Sequence, residues 1–215
     1  MKSDSNLTVE RLESIFRDRE PGTEDDYKFF SVLVPVVRMK NGLHVLYEVR
    51  ARHMARQPGD ICFPGGQMEA GETAMECALR ETCEETGINQ SRIRVVNQLD
   101  TIYTYSNFLM YSFLGIMEEE ALDDLKLNPD EVDEVFLIPL QELIETEPEI
   151  YRTVIVPEIP EDFPYDRVTG GKAYNWRKGR SVLPVYEVGG RVIWGLTARI
   201  TARFIDAIRG DVCSE

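Results

Sequence analysis

The sequence has no apolar run approaching the ~20 residues that a membrane-spanning helix needs. Its first residues, MKSDSNLTVE, lack the basic-then-apolar order of a secretion signal. The expectation is therefore a cytoplasmic chain with no membrane partner. Cysteine is scarce. Cys62, Cys77, Cys83 and Cys213 show neither the density of a disulfide scaffold nor Cys-x-x-Cys spacing, which leaves packing thiols and argues against structural zinc. Positive charge is also in short supply. With 38 acidic residues against 24 basic ones, the formal net charge is -14. Long nucleic acids are excluded as partners, because their binding draws on Lys and Arg displacing counterions. A small phosphorylated ligand is compatible only where divalent cations or a local arginine cluster offset its charge. No repeat or low-complexity segment is present.

What remains is an ordinary domain-sized chain of 215 residues, 43% of them hydrophobic, enough to bury one core. Leu7, Leu12, Ile15 and Phe16 fall at helical spacing and predict an amphipathic helix over 7–19, placed to pack on the core or on a second subunit as a homodimer. Residues 1–28 read as a helical extension and 29–215 as a single domain. FFSVLVPVV (29–37), the Asn41-Gly42 turn and LHVLYEVR (43–50) predict a β-hairpin. A second hairpin is expected over 92–104 and 108–117. A short strand follows at 134–138, leading through Pro139 into a short helix. The tail predicts strands at 183–188 and 191–194 around Gly189-Gly190, then a helix over 196–209. This order fits a mixed sheet with helices on both faces.

Between the hairpins, TAMECALRETCEET has no internal Gly or Pro and ends at Gly87, so a helix spans 73–86. At ~100° per residue, Glu81, Glu84 and Glu85 fall within a ~100° arc. Met75, Leu79, Thr82 and Thr86 gather on another side, the one that docks on the sheet. Like charges so crowded destabilise an isolated helix unless something cationic offsets them. Oxygen clusters of this kind suit hard ions such as Mg²⁺ or Mn²⁺. A glutamate-rich face taken alone is usually just solvated. The wider pattern is different: Gly66, Glu72, Arg80, Glu81, Glu84, Glu85 and Gly87 at fixed spacing would arise by chance at on the order of 10⁻⁸ per starting position.

The stretch from Gly66 to Ile88 resembles the Nudix box, Gly-x5-Glu-x7-Arg-Glu-aliphatic-x-Glu-Glu-x-Gly-aliphatic, with Thr82 where an aliphatic residue is usual. The resemblance implies an α/β/α sandwich with a mixed sheet. It also implies a Mg²⁺- or Mn²⁺-dependent hydrolase of a nucleoside diphosphate linked to another group. By position, Glu84 and Glu85 would bind metal, and Glu81 would bind metal or take a proton from water. A backbone carbonyl of the Gly65-Gly66 turn would complete the site, while Arg80 and Glu72 would tie loop to helix. Pyrophosphate hydrolysis needs in-line attack by water and neutralisation of phosphoryl oxygens, which clustered metals supply.

Upstream, Arg50, Arg52, His53 and Arg56 crowd one segment of an acidic chain, as a substrate with several phosphates requires. Arg50-Ala51 and Gly59 to Gly66 (GDICFPGG) resemble the motif preceding the box in coenzyme A pyrophosphatases, although Ala55 stands where a second Arg is expected. Glu72 stands where that group often has Asp. The likeness extends through Asp130 to Phe136, GKAYNWR (171–177) and Ile193 to Arg199. It implies cleavage of coenzyme A to 3′,5′-ADP and 4′-phosphopantetheine. Glu131 is a candidate further metal ligand or base. Tyr174 and Trp176 are candidates to stack on adenine, against the alternative of a hydrophobic plug. Two other readings stay open: a Nudix pyrophosphatase for ADP-ribose or NADH, and a non-catalytic nucleotide-sensing domain.

Overall fold

The computed structural model describes residues 7–23 and 26–212, so Cys213 lies outside it. Helix α1 (Val9–Phe16) is capped by Thr8, whose hydroxyl accepts from the Arg11 N–H. It is shorter than the predicted 7–19 and buries none of its residues. Of the two surfaces considered for its apolar stripe, the core is thus not the one used, and Leu12, Ile15 and Phe16 stay exposed.

Strand β1 (Lys28–Met39) turns at Asn41 into β2 (Gly42–Arg50), antiparallel with Val36 opposite Val45 and Met39 opposite Gly42. Two short strands follow. β3 (Ile61–Cys62) pairs with β2, and β4 (Gly65–Gln67) pairs with β1. After helix α2 (Ala74–Thr86) come β5 (Arg94–Gln98) and β6 (Ile102–Tyr103), both antiparallel to β7 (Phe108–Glu118). β7 lies parallel to β1, and β8 (Val132–Pro139) lies antiparallel to β2. These eight strands form one mixed sheet whose main path is β3-β2-β1-β7-β5.

Strand alternation sorts the core into two layers. Val32, Val34 and Val36 join Val45 and Tyr47 on one face of the sheet, while Leu33, Val37 and Leu46 point to the other and meet Ala78 and Leu79 of α2. After helix α3 (Leu140–Glu145), strands β9 (Glu149–Ile155), β10 (Gly179–Val188) and β11 (Arg191–Ile193) form a separate antiparallel ribbon. Helix α4 (Gly195–Val212) then covers the first face with Ala198, Ile200, Phe204 and Ile205. A buried hydrogen bond between Tyr47 Oη and Thr201 Oγ1 (3.0 Å) locks it there. The result is an α/β/α sandwich. Among the described residues, no helix is long and apolar enough to cross a membrane.

Besides α1, two segments depart from the sequence reading. β9 was not anticipated, because all its residues except Ile155 are exposed and no burial pattern marks it. Its pairing starts β10 at Gly179, four residues ahead of the predicted Leu183.

Candidate active site

Helix α2 starts at a reciprocal cap. The Thr73 N–H donates to Glu76 Oε2 (2.8 Å) and the Glu76 N–H to Thr73 Oγ1 (3.3 Å), satisfying donors that would otherwise be orphaned. It stops at Gly87, left-handed at φ 77°, where a Cβ would meet the Lys126 backbone nitrogen at 2.8 Å. Its docked face carries Cys77, Ala78, Leu79, Thr82 and Thr86. Met75, expected on that face, is exposed, and Ala74 packs in the first turn instead. The two threonines are buried at little cost because their hydroxyls donate to Ala78 O and Thr82 O, one turn back.

The three box carboxylates do not share one environment. The Glu84 side chain is 54% exposed, Glu81 is half-buried, and Glu85 is only 3% exposed. The arc crosses from solvent into the seam between α2 and the sheet. There Glu85 Oε2 accepts from the Gly65 N–H at 2.8 Å. Burial, then the nearby charge of Glu48, pushes its carboxyl up to about 9, with the Gly65 hydrogen bond opposing. Burial also raises Glu81.

Arg80 ties the loop to the helix. It grips Glu72 through Nε–Oε2 (3.1 Å) and Nη2–Oε1 (2.8 Å), and its Nη1 donates to Glu81 Oε1 (2.9 Å) and Glu84 Oε2 (3.2 Å). Glu72 also accepts from the Glu69 N–H, and the Arg80 hydrogen bonds hold its carboxyl down to about 2. Gly65 and Gly66, at the start of the box, leave room for these close approaches. A Cβ on Gly65 would lie 2.3 Å from Ser31 O, and one on Gly66 2.3 Å from Glu81 Oε1.

From outside the box, Glu131 arrives by two tethers. Its carbonyl accepts from the Ala51 N–H (2.8 Å), and its Oε2 accepts from Asn128 Nδ2 (3.1 Å), while the Asn128 N–H donates to Glu85 O (2.9 Å). Sequence reasoning missed Glu48. This residue is 1% exposed in the middle of β2, its Oε1 accepting from Cys62 Sγ and its Oε2 without a partner. The one available signal was an acid inside an apolar strand.

The substrate candidates divide. Arg50 ends β2 with its Nε buried and unpartnered. Arg52 and Arg56 are exposed, Arg52 lying 3.7 Å from Asp133. Tyr174 and Trp176 pack edge-on with ring centroids 4.9 Å apart, and Trp176 meets Phe163 at 5.6 Å. Their ring contacts lie within this aromatic cluster, not with the glutamates. Among the described residues, no three acidic, His or Cys side chains converge as a ready-made metal cage. Arg80 holds oxygens of both Glu81 and Glu84.

Comparison with known proteins places this arrangement. The family model for the NUDIX domain matches residues 28–156, well over half of the chain, and the chain belongs to the Nudix family. Nudix hydrolase 3 of Caenorhabditis elegans is 37% identical over 141 residues, covering 63% of this chain and 59% of that one. Peroxisomal coenzyme A diphosphatase NUDT7 of Mus musculus is 32% identical over 135 residues, covering 62% and 56%. Mitochondrial coenzyme A diphosphatase NUDT8 of Mus musculus is 30% identical over 173 residues, covering 80% and 73%. The chain thus spans less than two thirds of the length of the first two relatives.

Proposed function

We propose that the protein is a Mg²⁺- or Mn²⁺-dependent pyrophosphatase that splits coenzyme A, or its thioesters, into 3′,5′-ADP and (acyl-)4′-phosphopantetheine. The observation that carries this reading is the seam at Gly65-Gly66. Buried Glu85 is held there on the Gly65 N–H, Glu81 fills the space over Gly66, Glu131 is tethered through Asn128 to the Glu85 carbonyl, and Arg50 at the end of β2 carries a buried, unpaired N–H. Two relatives are named as coenzyme A diphosphatases, and the GDICFPGG segment supports the same substrate.

The donor set fits a hard divalent cation. Its groups are carboxylate oxygens with the Gly66 carbonyl, and burial, with the nearby charge of Glu48 next, disfavours the charged form of Glu85 unaided. Glu81, Glu84, Glu85, Glu131 and the Gly66 carbonyl would hold it. A bound ion supplies neutralisation of phosphoryl oxygens and acidifies water.

The chain's own groups do the rest. The Gly65 N–H fixes the Glu85 carboxylate, and Arg80 holds Glu81 through one oxygen, leaving the other free. Glu81, raised by burial, would accept the proton of the attacking water at that oxygen. Arg50 would bind a phosphate of the substrate, with Arg52 and Arg56 as exposed contributors. Tyr174 and Trp176 would offer ring faces or edges to the adenine. The cytoplasmic placement rests on sequence alone, since relatives include proteins named peroxisomal and mitochondrial. A homodimer through the exposed stripe of α1 belongs to the same proposal.

The test is a comparison of kcat/KM for coenzyme A, ADP-ribose, NADH and a diadenosine polyphosphate with each metal. Coenzyme A is expected to lead. Preference for ADP-ribose or NADH would keep the chemistry and discard the substrate, and no turnover of any compound would favour the sensing reading.

A further inference from the structure

Strand β2 faces the glutamate helix with one side only. Leu46 packs with Ala78 and Leu79 of α2, Tyr47 packs on the opposite layer, and alternation returns Glu48 to the α2 side. Its cross-strand neighbour agrees, because Val135 of β8, opposite Glu48, joins the same layer. On the other flank Glu48 stands opposite Cys62 of β3, two residues before Pro64 and the Gly65 that binds Glu85.

This carboxylate is not satisfied by the protein. Cys62 Sγ donates to Oε1 at 3.2 Å, a weak donor. Oε2 is buried with no partner, and Arg50, two residues on, makes no ion pair with it; that guanidinium also keeps a buried unpaired N–H. A buried charge left this way is costly unless something opposite in sign meets it. Glu48 is also the neighbouring charge that Glu85 feels most strongly, with Glu81 and Glu131 next. An unpaired acid and an unpaired arginine donor, side by side, match a cation bound together with a phosphate.

We infer that Glu48 is a further ligand of the divalent cation, contributed by β2 from across the seam and sharing the ion with Glu85. The inference rests on the proposed function for the presence of a metal, and goes beyond it in assigning a ligand outside the box and outside Glu131. Cys62 Sγ holds Oε1, which leaves the unpartnered Oε2 for the ion.

Isothermal titration of the full-length, metal-free protein with Mn²⁺ tests this without turnover. Glu48→Gln, nearly isosteric, is expected to weaken Mn²⁺ binding on the order of ten- to a hundred-fold. Its metal-free melting temperature should be equal to or above the parent's, since an uncompensated buried charge is gone. Glu48→Asp, which keeps the charge on a shorter stem, is expected to bind with intermediate affinity and serves if the Gln variant does not fold. Parent-like Mn²⁺ affinity in either variant overturns the inference and leaves the proposed function standing. A parent protein that takes up no Mn²⁺ overturns both.

Discussion

The Glu81 carboxylate fills the space that a side chain on Gly66 would enter: a Cβ on Gly66 would fall 2.3 Å from Glu81 Oε1 and Cδ. The absence of a side chain on the turn is what admits the carboxylate. Gly66→Ala is therefore expected to push Glu81 aside and lower kcat by about 100-fold, the scale of a 1 Å misplacement. The fold should be kept, because the helix caps at Thr73 and Gly87 are untouched. Wild-type kcat in a folded Gly66→Ala protein would remove Glu81 from the chemistry.

Glu84→Gln and Glu85→Gln should each lower kcat by several orders of magnitude. They should differ in the metal-free protein. Glu84 is exposed, and its loss should leave stability unchanged, whereas Glu85→Gln removes a buried carboxyl that must take up a proton on folding at neutral pH and should raise the melting temperature. Full activity in both variants would sink the metal assignment.

Arg50→Ala is expected to raise KM for coenzyme A roughly ten- to a hundred-fold with kcat little changed, the scale of one charge-assisted hydrogen bond. Arg52→Ala, at an exposed position, should move KM far less. An unchanged KM for Arg50→Ala would take this arginine out of the phosphate site.

Acid stability reports on the Arg80–Glu72 clamp. The Glu72 carboxyl is held at about 2 against an ordinary 4.5, so between those values the unfolded chain binds more protons than the folded one. The stability it contributes is fully present above pH 4.5 and lost as pH falls toward 2. The gap in urea midpoint between the parent and Glu72→Gln should hold steady from pH 7 to 5 and close below pH 4.5. A gap that persists unchanged to pH 2 would mean that the clamp is not ionic.

The glutamate helix was legible because its signals are local: no Gly or Pro inside, Thr73 and Gly87 at its ends, and carboxylates at helical spacing. Their graded burial was not, since it depends on how far α2 leans over β1 and β4. Glu48 escaped for a related reason. β2 is covered on both faces, so its burial lacks the one-sided pattern that would have marked an inward acid as unusual. Met75 was misplaced because helical spacing sets direction but not where the sheet beneath begins. β9 was lost because it is an exposed ribbon whose order comes from pairing with β10. Arg50 and Arg52 looked alike in sequence, and only the end of β2 separates a buried guanidinium N–H from an exposed one.

The most direct test is mass spectrometry of products formed from coenzyme A by the purified protein with Mg²⁺ or Mn²⁺, with Glu85→Gln as control. The expected result is 3′,5′-ADP and 4′-phosphopantetheine in equal amounts from the parent and neither from the variant. Intact coenzyme A after incubation, or equal product from the Glu85→Gln protein, would contradict the account.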